Sequence, residues 1–203
     1  ALQSAAELAV SEATAAGYLR RNTIDSITGK SIDSNAVVGL VPVCHFTTDA
    51  GASKIKVSLL QKGGGSENMS RQFSLPDMSI GAGRDLDGVR KCLLNAVNDA
   101  QGYGCAPGVI GVCIGGDRAE GMLVAKEQLL RRLDDRSPDA QLAELEDTVL
   151  RQANGLGIGP MGLGGSPTLL GVKIAARPRL PASFFVSVAY CCWACRIHTV
   201  ELS

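Results

Sequence analysis

Residues 187–198 read SVAYCCWACRIH, and the stretch changes character halfway along. An apolar run that begins upstream at Phe184 and Phe185 ends in Cys191, Cys192 and Cys195, grouped around the only tryptophan, Trp193. A short continuous apolar run bounded by turn signals predicts a buried strand, so the cysteines stand where that strand leaves its sheet. Their spacing admits a Cys192-x-x-Cys195 dithiol, half of a zinc knuckle, or one metal-binding thiolate with two bystanders. A dithiol motif belongs at a helix N-terminus after the first strand of a βαβ unit, whereas this pair trails the last predicted strand. A knuckle needs a second pair at matching spacing, which the sequence lacks.

Working outward, "LLGVKIAA" (169–176) and "GVIGVCIGG" (108–116) predict two more buried strands, and "KIKVSLLQ" (54–61) alternates like a half-buried one. "AVVGLVPVCHF" (36–46) is expected to be another strand. Helices are predicted for the alanine-rich opening, for "LDGVRKCLLNAVNDA" (86–100), for "AEGMLVAKEQLLRRL" (119–133) and for 137–155. The last should start with Ser137 as N-cap and Pro138 at the first helical position, and end at Gly155 in a left-handed cap. Cys92 and Cys113 fall on apolar faces and read as core thiols. Strands and helices come in mixed blocks, so the expected class is α+β, with mixed sheets packed against helices and glycine-rich loops at strand ends. Residues 1–203 read as one domain.

Lysine plus arginine equals aspartate plus glutamate at 20 each, and no basic run exceeds two residues, so nucleic acid is not an expected partner. No segment has the twenty or so consecutive apolar residues that span a bilayer. Seven cysteines with an ample apolar core argue against a secreted disulfide framework and for a reducing, cytoplasmic setting. The start at Ala1 lacks a signal-peptide pattern and is expected to be a truncation.

Two loops carry chemistry. In "KGGGSEN" (62–68), three glycines at positive φ could turn backbone N–H groups inward as an anion nest, with Lys62, Ser66 and Asn68 adding charge and hydrogen bonds. In "GCAPG" (104–108), Cys105 is held by turn residues and lies on no periodic face, so its sulfur can point into a cleft.

"GYLRRNT", "KGGGSENMS", "GCAPG", "GVCIGGDRAEG", "AKEQLLR", "NGLGIGPMGLGGSPTLLG" and "RLPASFFVSVAYCCWACR" occur in the order and approximate spacing of one family across nearly the whole chain. By these motifs the chain resembles the class I fumarase family of iron-sulfur hydro-lyases, which includes L-tartrate dehydratase, and specifically its N-terminal or alpha-type part. The resemblance implies a [4Fe-4S] cluster on three cysteines, with the free iron assisting loss of hydroxide from malate and the reverse hydration of fumarate. Position by position, it implies Cys105 and Cys192 as two cluster ligands. It likewise implies Arg20 on a substrate carboxylate and Gly63, Ser66 and Asn68 in a substrate-binding loop. It leaves Cys191 and Cys195 without a ligand role. The family's third cysteine lies in a "CQDTG"-like segment that nothing here matches, and its swivelling C-terminal domain or beta subunit, with the acid-base residues, is absent too. The resemblance therefore also implies a dicarboxylate substrate, that partner domain or subunit, a homo-oligomer, and inactivity of this polypeptide alone. An L-tartrate dehydratase alpha subunit, a thiol-disulfide protein working through Cys192 and Cys195, and a non-catalytic remnant are the alternatives.

Overall fold

The alanine-rich opening forms α1 (Leu2–Ala15), as its helix propensity predicts, and the chain reverses at Gly17. The structure, a computed structural model, describes residues 1–48 and 50–202. It falls into two compact units, Ala1–Ser53 and Lys54–Ser203.

In the first unit Thr14 of α1 is buried, as is Asn35, at φ 55°. Its Oδ1 accepts the Asn22 and Thr23 amides, both at 2.9 Å, while its Nδ2 donates to the Arg20 carbonyl at 2.6 Å and Thr14 Oγ1 at 3.2 Å. One asparagine thus fixes the backbone of the "LRRNT" segment. Residues 36–46 do not form the expected strand. Val37 and Val41 close a tight reversal, with the Val37 and Val41 amides each donating to the other's carbonyl. Val38, Leu40, Val43 and Phe46 remain exposed.

The second unit holds β1 (Ile55–Gln61), the one-turn α2 (Gly64–Glu67), β2 (Arg71–Ser74), α3 (Leu86–Ala100), β3 (Gly108–Gly115), α4 (Arg118–Gln128), α5 (Ala140–Gly155), β4 (Leu169–Arg177), β5 (Phe185–Cys191) and β6 (Arg196–Leu202). A four-stranded sheet in the order β2-β5-β3-β4 is antiparallel except for the β3/β4 pair, and the α+β class holds.

Strand alternation sends Ile110, Val112, Val186, Val188 and Tyr190 into a core with Val89, Leu93, Val97 and Cys92 of α3 and Val149 of α5. The other face carries Cys113, Ala189 and Cys191 against Val124, Ala125 and Leu129 in and just after α4. On that face the helix backbone lies directly on the sheet. A Cβ at Gly111 would come within 2.1 Å of the Ala125 carbonyl oxygen, so only glycine fits there.

Asp117 caps α4 by accepting the Ala119 and Glu120 amides. The cap of α5 is Asp139, whose carboxylate accepts the Gln141 and Leu142 amides, two residues later than Ser137 was expected to act. Ser137 Oγ instead accepts the Asp139 amide. At the far end the helix includes Gly155, and the positive φ falls at Gly157.

β1 does not join the main sheet. It pairs with β6, which the sequence reading missed, as an antiparallel ribbon, and Ile55, Val57 and Leu59 are exposed rather than half-buried. Among the described residues no helix is long and apolar enough to cross a membrane.

Candidate functional site

Cys191 and Cys192 part company at the end of β5. Cys191 is 1% exposed and packs against the α4 face of the sheet, as expected of a strand cysteine. Cys192, one residue on, faces a different way. A Cβ placed on Gly63 would lie 3.9 Å from Cys192 Sγ and equally far from Ser66 Oγ, so the sulfur sits beneath the first glycine of the "KGGGSEN" loop. Cys195 is folded back by its amide, which donates to the Cys192 carbonyl at 3.1 Å, and its side chain packs beside Cys191 rather than Cys192. A hydrogen bond between those two thiols, then burial, pushes Cys191 far up, and the same bond holds Cys195 below the ordinary thiol value. The thiol hydrogen bond at this corner thus joins Cys195 to Cys191.

The "GCAPG" loop is brought to the same end of β5. Residues Gln101–Gly104 make one 3-10 turn, and Cys105 follows in the left-handed region at φ 54°, its amide donating to the Gly102 carbonyl at 3.0 Å. From there Ala106 is fully buried, and its carbonyl accepts the Met161 amide at 2.8 Å, which docks the second glycine-rich loop on the first. Tyr190, 1% exposed, lies against both flanks of Cys105. Burial, then the nearby Cys192, Cys105 and Cys191 sulfurs, pushes its hydroxyl up to about 12. Both candidate thiols therefore gather around one side chain.

The glycine loop is built differently from the expected nest. Gly63 is extended at φ −71° and ψ 136°, Gly64 and Gly65 enter α2, and none of the three has positive φ. Ser66 is buried, its hydroxyl donating to the Gly63 carbonyl at 2.8 Å. Lys62 is not a free cation either. Glu67 bridges Lys62 at 2.5 Å and Lys126 of α4 at 2.7 Å, tying the loop to that helix. Partial burial raises the Glu67 carboxyl, but the Lys126 and Lys62 hydrogen bonds and charges outweigh it and leave it below its ordinary value. What the loop offers outward is Asn68, which is exposed, and the bare backbone of Gly64 and Gly65, where a Cβ would find nothing within 4 Å.

Of the six residues singled out in the sequence, Gly63, Ser66, Asn68, Cys105 and Cys192 lie in the second unit and Arg20 in the first, exposed, its carbonyl held by Asn35. Among the described residues no group of three histidine, cysteine, aspartate or glutamate side chains could hold a metal ion. The donor chemistry fits two thiolate corners of a cluster and no more. Tyr190, Glu67 and Lys126 were not found by sequence reasoning. The spacing of Gly104 and Gly108 around Cys105 was the one available sign of a close approach.

A model of the fumarate hydratase (Fumerase) family matches residues 1–201. A Geobacillus stearothermophilus protein assigned as a class I fumarate hydratase is 53% identical over 191 residues, covering 93% of this chain and 37% of its own length. A Methanocaldococcus jannaschii protein assigned as an L(+)-tartrate dehydratase alpha subunit is 35% identical over 92% of this chain, and the Escherichia coli K12 alpha subunit of that name is 29% identical over 98%. Each of the latter two is spanned over 64% of its length, so this chain corresponds to only part of these relatives. With the family model covering nearly every residue and the motif loops converging at the end of β5, the chain belongs to the fumarate hydratase (Fumerase) family.

Proposed function

We propose that the chain is the cluster-binding part of a cytoplasmic hydro-lyase that interconverts fumarate and (S)-malate. The observation that carries this reading is the placement of Cys105, between two glycines that abut the Tyr190 ring, at the same strand end as Cys192, whose sulfur sits beneath Gly63, in a chain of this family. In this reading residues 1–203 act as one cluster-binding domain. Cys105 and Cys192 would hold a [4Fe-4S] cluster with a third thiolate from outside these residues. When bound, the cluster supplies a Lewis-acidic iron for the departing hydroxyl.

The chain's own residues do the rest of the binding. Arg20 offers a planar fork suited to one carboxylate of a dicarboxylate. Nothing crowds Gly64 and Gly65 on their side-chain side and Asn68 is exposed, so the two amides and the Asn68 side chain can donate neutral hydrogen bonds to a substrate carboxylate. Ser66 serves by shaping the loop, since its hydroxyl is already bonded to Gly63. Proton transfer at carbon falls to the C-terminal domain or beta subunit, and the assembled enzyme is a homo-oligomer of such units.

The test is anaerobic iron and sulfide reconstitution of the full-length protein. Cys105→Ser and Cys192→Ser should each lose the cluster absorbance, while Cys195→Ser keeps it. The 203-residue chain by itself should neither hold a stable cluster nor turn over malate, and doing both would overturn the reading. Two of the relatives are named for tartrate, which favours L-tartrate as the second substrate to assay. Turnover of L-tartrate in preference to malate would reassign the substrate.

A further inference from the structure

Tyr190 is the residue that the motifs leave without a role, and its surroundings are unusual. A Cβ on Gly104 would fall 2.4 Å from Tyr190 Cε1 and 2.7 Å from Cζ. A Cβ on Gly108 would fall 2.4 Å from both Cζ and the hydroxyl oxygen. No real Cβ contact is that short, so the ring occupies the space that side chains at 104 and 108 would need. Those two glycines flank Cys105, and Tyr190 is separated from Cys192 by Cys191 alone. The ring is locked in turn: its backbone amide donates to Ser70 Oγ at 3.2 Å, its carbonyl strand is paired with β3 at Ile110, and it lies within the α3/α5 core.

We propose that Tyr190 is a positioning residue whose ring, clasped by Gly104 and Gly108, fixes where the Cys105 sulfur stands relative to Cys192. This rests on the reading of those two thiols as partners at one centre, but it concerns protein geometry and not iron. Cys105 sits in the left-handed region at the end of a single 3-10 turn, a conformation that a cysteine does not hold without outside support. The Ala106–Met161 hydrogen bond supplies support on one side and the tyrosine ring supplies it on the other.

Dibromobimane, which fluoresces strongly once both of its arms have alkylated thiols, reads the separation without any metal. In the 203-residue chain carrying Cys44→Ser and Cys195→Ser, the bimane bridge should form between Cys105 and Cys192, as located by peptide mapping. Tyr190→Phe should keep the bridging rate, because the ring does the positioning. Tyr190→Leu and, separately, Gly104→Ala should slow it by about tenfold or more, the order of loss that misalignment imposes on intramolecular reactions. Because either variant could act by unfolding, the double variant Tyr190→Ala with Gly104→Ala is the control: with the ring gone, the added methyl has room, and its penalty should vanish. Bridging unchanged in Tyr190→Leu, or a Gly104→Ala penalty that persists without the ring, would overturn the proposal. Failure of the full-length protein to hold a cluster while the bridge still forms would overturn the functional reading alone.

Discussion

Glu146 of α5 accepts the backbone amide of Ile174 at 2.7 Å, so a helix side chain completes the hydrogen bonding of β4, the strand at the edge of the main sheet. The same oxygen accepts Arg131 Nη1 at 2.8 Å, and the second carboxylate oxygen accepts the Ser137 amide. Lys173, also buried, donates to the Leu133 and Asp135 carbonyls. Every partner in this group is satisfied, which is the condition for a buried polar network to support a fold.

Removing one member should therefore be costly. Glu146→Ala strands the Ile174 amide and takes from Arg131 the more deeply buried of its two carboxylate partners, leaving it Asp135, and a loss of about 3 kcal/mol is expected, the scale for breaking a buried, hydrogen-bonded pair. Urea titration should show a lower midpoint at unchanged slope. Glu146→Gln keeps an acceptor for Ile174 and should lose less.

Gly111→Ala tests the close contact between α4 and the sheet. The new methyl would meet the Ala125 carbonyl, a backbone atom that cannot rotate aside. Overpacking of this kind costs about 1–3 kcal/mol. Thermal melts should fall accordingly, with protection from hydrogen exchange lost first in α4.

The lysine clamp at the glycine loop gives a pH signature. The Glu67 carboxyl titrates below its ordinary 4.5 in the folded chain, so the clamp's contribution is fully present above that value and fades as pH falls through the folded pKa. Protection factors of the 63–68 amides, taken relative to the intrinsic exchange rate at each pH, should be steady from neutral pH down to the ordinary carboxylate value and then fall. In Glu67→Gln the amides should be less protected at neutral pH and show no such acid step.

Thiol chemistry should sort the cysteines by environment. Burial pushes Cys92 up to about 12 and Cys113 up to about 11, and both are fully buried. Native-state alkylation near pH 8 followed by mass spectrometry should label Cys44, Cys105 and Cys195, which are partly exposed, and spare Cys92, Cys113 and Cys191. Rapid labelling of Cys113 would contradict the packing of α4 on β3.

The elements that build the main sheet and its covering helices were legible because their patterns are dictated by burial on a single face or on both. The α3 periodicity at Val89, Cys92, Leu93 and Val97 and the apolar runs of β3 and β5 are of this kind. Residues 36–46 have the same apolar content but spend it on an exposed reversal, and nothing local in the sequence separates the two outcomes. β6 was missed because its pairing partner, β1, lies at the other end of the second unit's sequence and neither strand is buried. At the site, the cysteines could be read from their loop and strand-end positions. Tyr190 could not, since a tyrosine at the end of an apolar strand looks like core until the chain brings Gly104 and Gly108 against it.

β5 has a further consequence, for how the molecule is made. It is an interior strand, pairing Arg71 with Val188 on one side and Ile110 with Tyr190 on the other, yet it is the last element to join the main sheet. A ribosome emitting this chain from its N-terminus releases β2, β3, β4 and the three helices that follow β2, α3, α4 and α5, while the slot between β2 and β3 is still vacant. Until residue 191 emerges, the apolar surfaces of α3 and β3 have no strand to close over them, and such long-range closure is intrinsically slow. The nascent chain is therefore most in need of chaperone shelter just before its two candidate thiols first meet.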